Sequence, residues 1–132
     1  MYTLTNDMKS IDIILKGQVR SKKNSKRIFC RGKFPTVLPS KAHEDWHQTT
    51  SESFKMPPGK VFPLKVTHSI TLTFFSQTKR SWDLSNMAES IMDFLVDVGV
   101  LKDDNYNVVP NLQLIYGGLA RSNPRVEIEI LY

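Results

Sequence analysis

Apolar and polar positions alternate in two stretches of the chain and repeat at helical spacing in a third. In Leu64–Phe75, "LKVTHSITLTFF", Leu64, Val66, His68, Ile70, Leu72 and Phe74 fall on one side, with Lys65, Thr67, Ser69, Thr71 and Thr73 on the other. β-Branched and aromatic residues dominate, which predicts a strand with one buried face and places His68 in the core. Arg125–Tyr132, "RVEIEILY", sets Val126, Ile128 and Ile130 against Glu127 and Glu129, predicting a second half-exposed strand. Ser10–Gly17, "SIDIILKG", is short, rich in Ile and Leu, and reads as a strand closed by glycine. Asn107–Tyr116 is a further strand, with Pro110 pointing to an edge or a bulge near its start and Gly117-Gly118 to a turn after it.

From Asp83 onward the spacing changes. Leu84, Met87, Ala88, Ile91, Met92, Leu95 and Val98 recur at i, i+3, i+4 and i+7, the stripe of an amphipathic helix. Asp83 suits the N-cap, where its carboxylate would accept orphan N–H bonds, and Gly99 suits the stop, with Val100 and Leu101 packing back. Phe94 and Val96 lie off the stripe and fit either extra core or an interface. An earlier helix starts after Pro39-Ser40, with Ser40 at its N-cap and Glu44 and Asp45 in its first turns, and runs to about Phe54 before "KMPPGK" breaks it. The predicted order is strand, basic loop, helix, strand, helix, strand, strand. It makes residues 1–132 one α+β domain, a small mixed sheet with two helices packed on it.

Charge changes this picture. The chain carries a formal net charge of +5, yet six of its 13 acids lie between Arg80 and Asn105: Asp83, Glu89, Asp93, Asp97, Asp103 and Asp104. Half of its 18 basic residues lie between Lys16 and Lys41, where there is no acid: Lys16, Arg20, Lys22, Lys23, Lys26, Arg27, Arg31, Lys33 and Lys41. This basic stretch, about residues 17–39, reads as a loop or a loose hairpin and has the composition of a phosphate-binding surface; a solvated loop kept for solubility is the plainer reading. Asp83, Asn86, Ser90, Asp93 and Asp97 fall on the side of the helix opposite its apolar stripe. Glu89, Asp93 and Asp97 form an i, i+4, i+8 file, and like charges so spaced destabilise a helix by ~0.2–0.5 kcal/mol per pair. Two readings of the file stand. One is a solvated acidic face; the other is a divalent-ion site, for which oxygen-only donors suit Mg²⁺ or Mn²⁺.

Other classes fall away. No apolar run approaches the ~20 residues of a membrane span, and the N-terminus lacks a secretory pattern, so a cytoplasmic protein is expected. A single cysteine, Cys30, leaves no internal disulfide framework, and with His43, His47 and His68 offers a poor zinc set. His43 and His47 at i,i+4 read as a solvated helix face before a metal pair. Phe29, Phe34 and Trp46 suit the core before base stacking. Phosphate-loop, dinucleotide, serine-hydrolase and zinc-protease motifs are absent.

The stretch "DLSNMAESIMDFLVDVGVLKDDNYNVV" resembles the D-L-D-N…K-A…D-A-L…G…D-D…V-V signature of the RusA family of Holliday junction resolvases. "GQVRSKKNSKR" after the first strand is similar to that family's basic entry, and the likeness extends over most of the chain. The resemblance implies a RusA-like fold and a homodimeric, Mg²⁺-dependent endonuclease of bacteria and phages. Such an enzyme cuts four-way DNA junctions symmetrically, in recombination and repair. It also implies metal-binding, catalytic roles for Asp83 and Asp104, with Asp103 beside the latter. Two positions depart from the signature: Ser85 stands where an aspartate is expected, and Glu89 where a lysine is. The simplest reconciliation gives Asp83, Glu89 and Asp104 as the catalytic set, supported by Asp93 or Asp103. Lys79, Arg80 or Lys102 would replace the lost lysine, and Lys16, Arg20, Lys22, Lys23, Lys26, Arg27, Arg31, Lys79, Arg80 and Lys102 would contact DNA. The alternatives are a non-catalytic nucleic-acid-binding domain, with cleavage lost through Ser85 and Glu89, and a protein-interaction module.

Overall fold

A computed structural model describes residues 8–21, 27–31, 34–38 and 41–132. Strand β1 (Ser10–Lys16) is followed by a hairpin, β2 (Arg27–Arg31) and β3 (Phe34–Leu38), inside the basic region. Helix α1 (Lys41–Ser53), strand β4 (Ser69–Ser76), helix α2 (Leu84–Asp97) and strands β5 (Leu112–Leu119) and β6 (Arg125–Leu131) complete the chain. One four-stranded sheet runs in the order β1-β6-β4-β5. β4 and β5 are parallel and joined by the helical crossover that such a pair needs, and the other pairs of the sheet are antiparallel. The expected α+β class, mixed sheet and pair of helices are all present.

The alternating strands explain the core. Ile11, Ile13 and Leu15 of β1, Ile70, Leu72 and Phe74 of β4, and Val126, Ile128 and Ile130 of β6 are buried on one sheet face. Met87, Ala88, Ile91, Met92 and Leu95 of α2 join them in one apolar cluster. Phe94 settles its open alternative in favour of the core. It is fully buried, with ring centroids 5.9 Å from Trp46 and 5.5 Å from Phe54, so it joins α2 to α1. Burying a ring of this size contributes roughly 1.5–3 kcal/mol. Val96 is half-buried against the same cluster.

The end of α2 follows its local chemistry. Gly99 takes φ +84°, its N–H donates to the Val96 carbonyl at 3.1 Å, and the Val100 N–H donates to the Leu95 carbonyl at 2.9 Å. These are the two bonds of a Schellman stop, and Val100 and Leu101 are buried behind it.

Four expectations need correction. The regular strand begins at Ser69, not Leu64. Ahead of it Leu64 bridges Leu101, while Thr67 donates from both its N–H and its Oγ1 to the Val108 carbonyl, each at 2.8 Å. Thr67 is therefore buried, Val66 is 62% exposed, and His68 lies outside the core. The strand expected over Asn107–Tyr116 runs instead over Leu112–Leu119, so Gly117 and Gly118 belong to β5 rather than to a turn, and the strand irregularity falls opposite Phe74 and Phe75 instead of near Pro110. β5 is nevertheless an edge, as Pro110 implied. Asp83 has N-cap backbone geometry, but its carboxylate makes no capping bond and accepts from Asn86 Nδ2 at 3.3 Å. Ser90, expected on the exposed face of α2, is fully buried. Ser40, the expected cap of α1, lies outside the described residues.

Candidate metal and nucleic-acid site

The C-terminal stop of α2 turns the chain back on itself. Leu64 donates its N–H to Val100 and accepts from the Lys102 N–H, both at 2.9 Å, which anchors the start of the returning segment. Beyond it, Asp103 Oδ1 accepts the Asp104 N–H at 2.7 Å, and Asp103 Oδ2 accepts from Asn105 Nδ2 at 3.0 Å. Asn105 Oδ1 in turn accepts the Asn107 N–H at 3.0 Å. This turn sets Asp104 within electrostatic reach of Asp93 on the helix.

The result shows in Asp104, whose carboxyl is held above the ordinary carboxylate range. Partial desolvation is the largest cause, although the residue as a whole is exposed. The Asp103 side-chain hydrogen bond comes next, and the negative charges of Asp93 and Asp103 add to it against a backbone bond that favours the anion. Asp93, Asp103 and Asp104 thus form one electrostatic group. The third acid of the helical file is balanced differently: Asp97 Oδ2 lies 3.0 Å from His47 Nε2 on α1. His43, the other half of the i,i+4 pair, is buried rather than on the solvated face expected for it, and sits 3.1 Å through Nδ1 from the Arg20 carbonyl. A carbonyl only accepts, so that nitrogen carries the hydrogen. Both imidazoles are therefore engaged within the fold.

The opposite end of α2 carries Asp83, which is exposed and directly follows a basic cleft. The cleft has a volume of about 390 Å³ and lies between residues 18–21, the start of α1 and the segment 77–82, with Arg20 and Arg80 in its lining. Its walls are tied together by hydrogen bonds. The Gln77 N–H donates to Gln18 Oε1 at 2.8 Å, and Ser90 Oγ donates to the Arg20 carbonyl at 2.8 Å. The buried Ser90 and His43 thereby hold the Arg20 backbone on the helices, while the Arg20 residue itself stays exposed. Arg80 and its neighbour Lys79 are exposed as well.

The remaining predicted residues are spread more widely. Glu89 is exposed on α2, Lys102 is exposed next to Asp103, and Lys16 is exposed at the end of β1. Arg27 and Arg31 are the terminal residues of β2, whereas Lys22, Lys23, Lys26 and Lys33 lie outside the described residues. Among the described residues, no three His, Cys, Asp or Glu side chains converge closely enough to hold a metal ion. Asp83 and Asp93, ten residues apart, are separated by ~15 Å along the helix axis. The donor chemistry still fits a hard cation, since the Asp93–Asp103–Asp104 group offers only carboxylate oxygens. Gln18, Gln77, Trp82 and Tyr116 were not legible as site residues, because they come from separate segments and form no motif.

No protein-family model matches the chain, and no curated protein matches it significantly. Among the described residues, no helix is long and apolar enough to cross a membrane.

Proposed function

We propose that this chain is a RusA-like, divalent-metal-dependent endonuclease that acts on branched DNA, with four-way junctions as its substrate and a homodimer as its working form. The observation that carries this reading is the acid group at the folded-back turn. Asp104, held above the ordinary carboxylate range first by partial desolvation and then by the Asp103 hydrogen bond and the charges of Asp93 and Asp103, belongs to an oxygen-only donor group that suits a hard cation, and it matches the later D-D pair of the signature. Asp83, the first aspartate of the signature, stands beside a cleft that carries Arg20 and Arg80.

The division of labour follows from the chemistry of each group. Asp104 and Asp103, with Asp93 in support, would hold Mg²⁺ or Mn²⁺, and Asp83 and Glu89 would extend the set from the helix. A bound ion of this kind supplies a more acidic water and neutralises charge on a phosphodiester. Arg20 and Arg80 bind and orient flanking phosphates, and Lys79 and Lys102 add positive potential at the two ends of α2. A homodimer would present two such sites to the two-fold symmetric strands of a junction. The protein would act in the cytoplasm, where that DNA is.

A second reading has an observation of its own. With Asp83 ~15 Å from Asp93 along the helix, Ser85 in place of an aspartate and no three carboxylates converging among the described residues, the chain would bind branched DNA without cutting it. One experiment separates the two. A synthetic four-way junction and a matched linear duplex are incubated with the protein in Mg²⁺ or EDTA, alongside Asp104→Asn and Asp83→Asn. Paired nicks confined to the junction, dependent on Mg²⁺ and lost in both variants, are expected. Binding without nicks in any divalent ion would establish the second reading.

A further inference from the structure

Beside the arginine cleft, and sharing Arg80, Ser81 and Trp82 with it, lies a second cleft that the metal chemistry does not use. Its volume is about 340 Å³, and it is lined by Lys79, Arg80, Ser81, Trp82, Leu84 and Tyr116, with no carboxylate among them. We infer that this cleft takes up one unpaired nucleotide by stacking its base on Tyr116, with Lys79 and Arg80 on the flanking phosphates. The inference rests on the DNA reading given above and adds to it the form of DNA recognised.

The two rings differ in how they are held. Trp82 is half-buried, with its ring 5.6 Å from Phe74 at 69° and 5.9 Å from Tyr116 at 77°, so it anchors the cleft to the core. Tyr116 is 51% exposed, yet its hydroxyl meets Ser76 Oγ at 2.7 Å, and Ser76 is itself buried. A ring fixed by its tip and braced at its edge loses little rotamer freedom when a base settles on it. An exposed aromatic ring on an uncharged edge strand is an expense for a soluble protein unless something covers it.

The chemistry of the lining selects the ligand. Every base has a π-face, so stacking on one tyrosine tolerates any sequence, and cations beside the ring pair with the phosphates on either side. A base inside a duplex has both faces covered by its neighbours. A ring of this kind therefore takes a base that has left the stack, and the crossing point of branched DNA supplies such bases. Because the two clefts share Arg80, a strand whose phosphates lie along Arg20 and Arg80 would bring its next base to Tyr116, within reach of the segment that leads into Asp83.

The test is made in EDTA, so that cleavage plays no part. Affinities are measured by fluorescence anisotropy for a thymidine oligonucleotide, an abasic oligonucleotide of the same length and charge, and the four-way junction, with the unaltered chain, Tyr116→Ala and Tyr116→Phe. The thymidine strand is expected to bind about tenfold or more tightly than the abasic strand, in line with the worth of one base–aromatic stack. Tyr116→Ala should erase that difference and leave abasic binding unchanged, while Tyr116→Phe, which keeps the ring, should preserve it. Equal affinity for the two strands, or a base preference that survives Tyr116→Ala, overturns the inference. If the junction is bound while neither single strand is, stacking alone fails. If none of the three is bound, the DNA reading fails with it.

Discussion

A methyl group at Gly117 tests the strand assignment of the Gly117-Gly118 pair. Cβ added there would sit 2.7 Å from both Cε1 and Cζ of Phe75 and 2.9 Å from Cγ2 of Thr73. Something must move, and the Phe75 ring is the freer of the two. That ring also carries the Arg125 guanidinium, whose Cζ lies 3.9 Å from the ring centroid. Over-packing costs ~1–3 kcal/mol and loss of a cation–π contact between two half-buried side chains at least ~0.5–1, so Gly117→Ala should lose about 1.5–4 kcal/mol. For a domain of this length that lowers Tm by roughly 5–15 °C. Urea and thermal unfolding of Gly117→Ala, Phe75→Ala and the double variant give the coupling between the two sites. Most of the cost of Gly117→Ala should vanish once the Phe75 ring is gone. Gly118→Ala supplies the contrast: φ there is +120° and nothing lies within 4 Å, so its cost is backbone strain and should be the same in either background. An equal loss from Gly117→Ala with and without the Phe75 ring would refute the packing argument.

Two further outcomes are expected. Because the Asp104 carboxyl is raised above its unfolded value of 3.8, the folded state holds that proton more tightly, and stability is lost as pH climbs from there through the folded value. Asp104→Asn should therefore show a small gain in Tm near neutral pH, modest because the group is exposed, and the gain should close in acid; differential scanning calorimetry across pH reads both ends. Arg20→Ala and Arg80→Ala should each lower the slope of log affinity for junction DNA against log salt by about 1, with little change in preference among DNA sequences.

How far the fold was legible depended on whether a residue's partner was near it in the chain. The stripe of α2 and its stop at Gly99 are local: spacing fixes the first, and the positive φ that glycine tolerates fixes the second. Thr67 was misplaced because its partner, the Val108 carbonyl, is 41 residues away, and that bond turns the threonine inward against the alternation. Ser90 looked like a solvent-facing serine, yet the Arg20 carbonyl, 70 residues earlier, buries it. Gly117-Gly118 has turn composition, but the packing of Phe75 over Gly117 has no trace in the neighbouring residues. The candidate site divides in the same way. Helix phase put Asp93 on the polar side of α2, and the turn after Gly99 brought Asp104 towards it. By contrast, the clefts holding Arg20, Arg80, Trp82 and Tyr116 exist only once four segments of chain have met.

The place of β6 has a consequence for synthesis of the protein. Strand β6 lies between β1 and β4 and pairs with both, so the sheet is held together through residues translated after its other three strands. β1, with Ile11, Ile13 and Leu15 on one side, leaves the ribosome before the other strands of the sheet and, among the described residues, has no sheet partner until Arg125–Leu131 follow. At ~5–20 residues per second, that wait is roughly 5–20 s. The nascent chain must shelter an unpaired apolar strand for that time, and a chain stopped before β6 would leave β1 and one side of β4 bare.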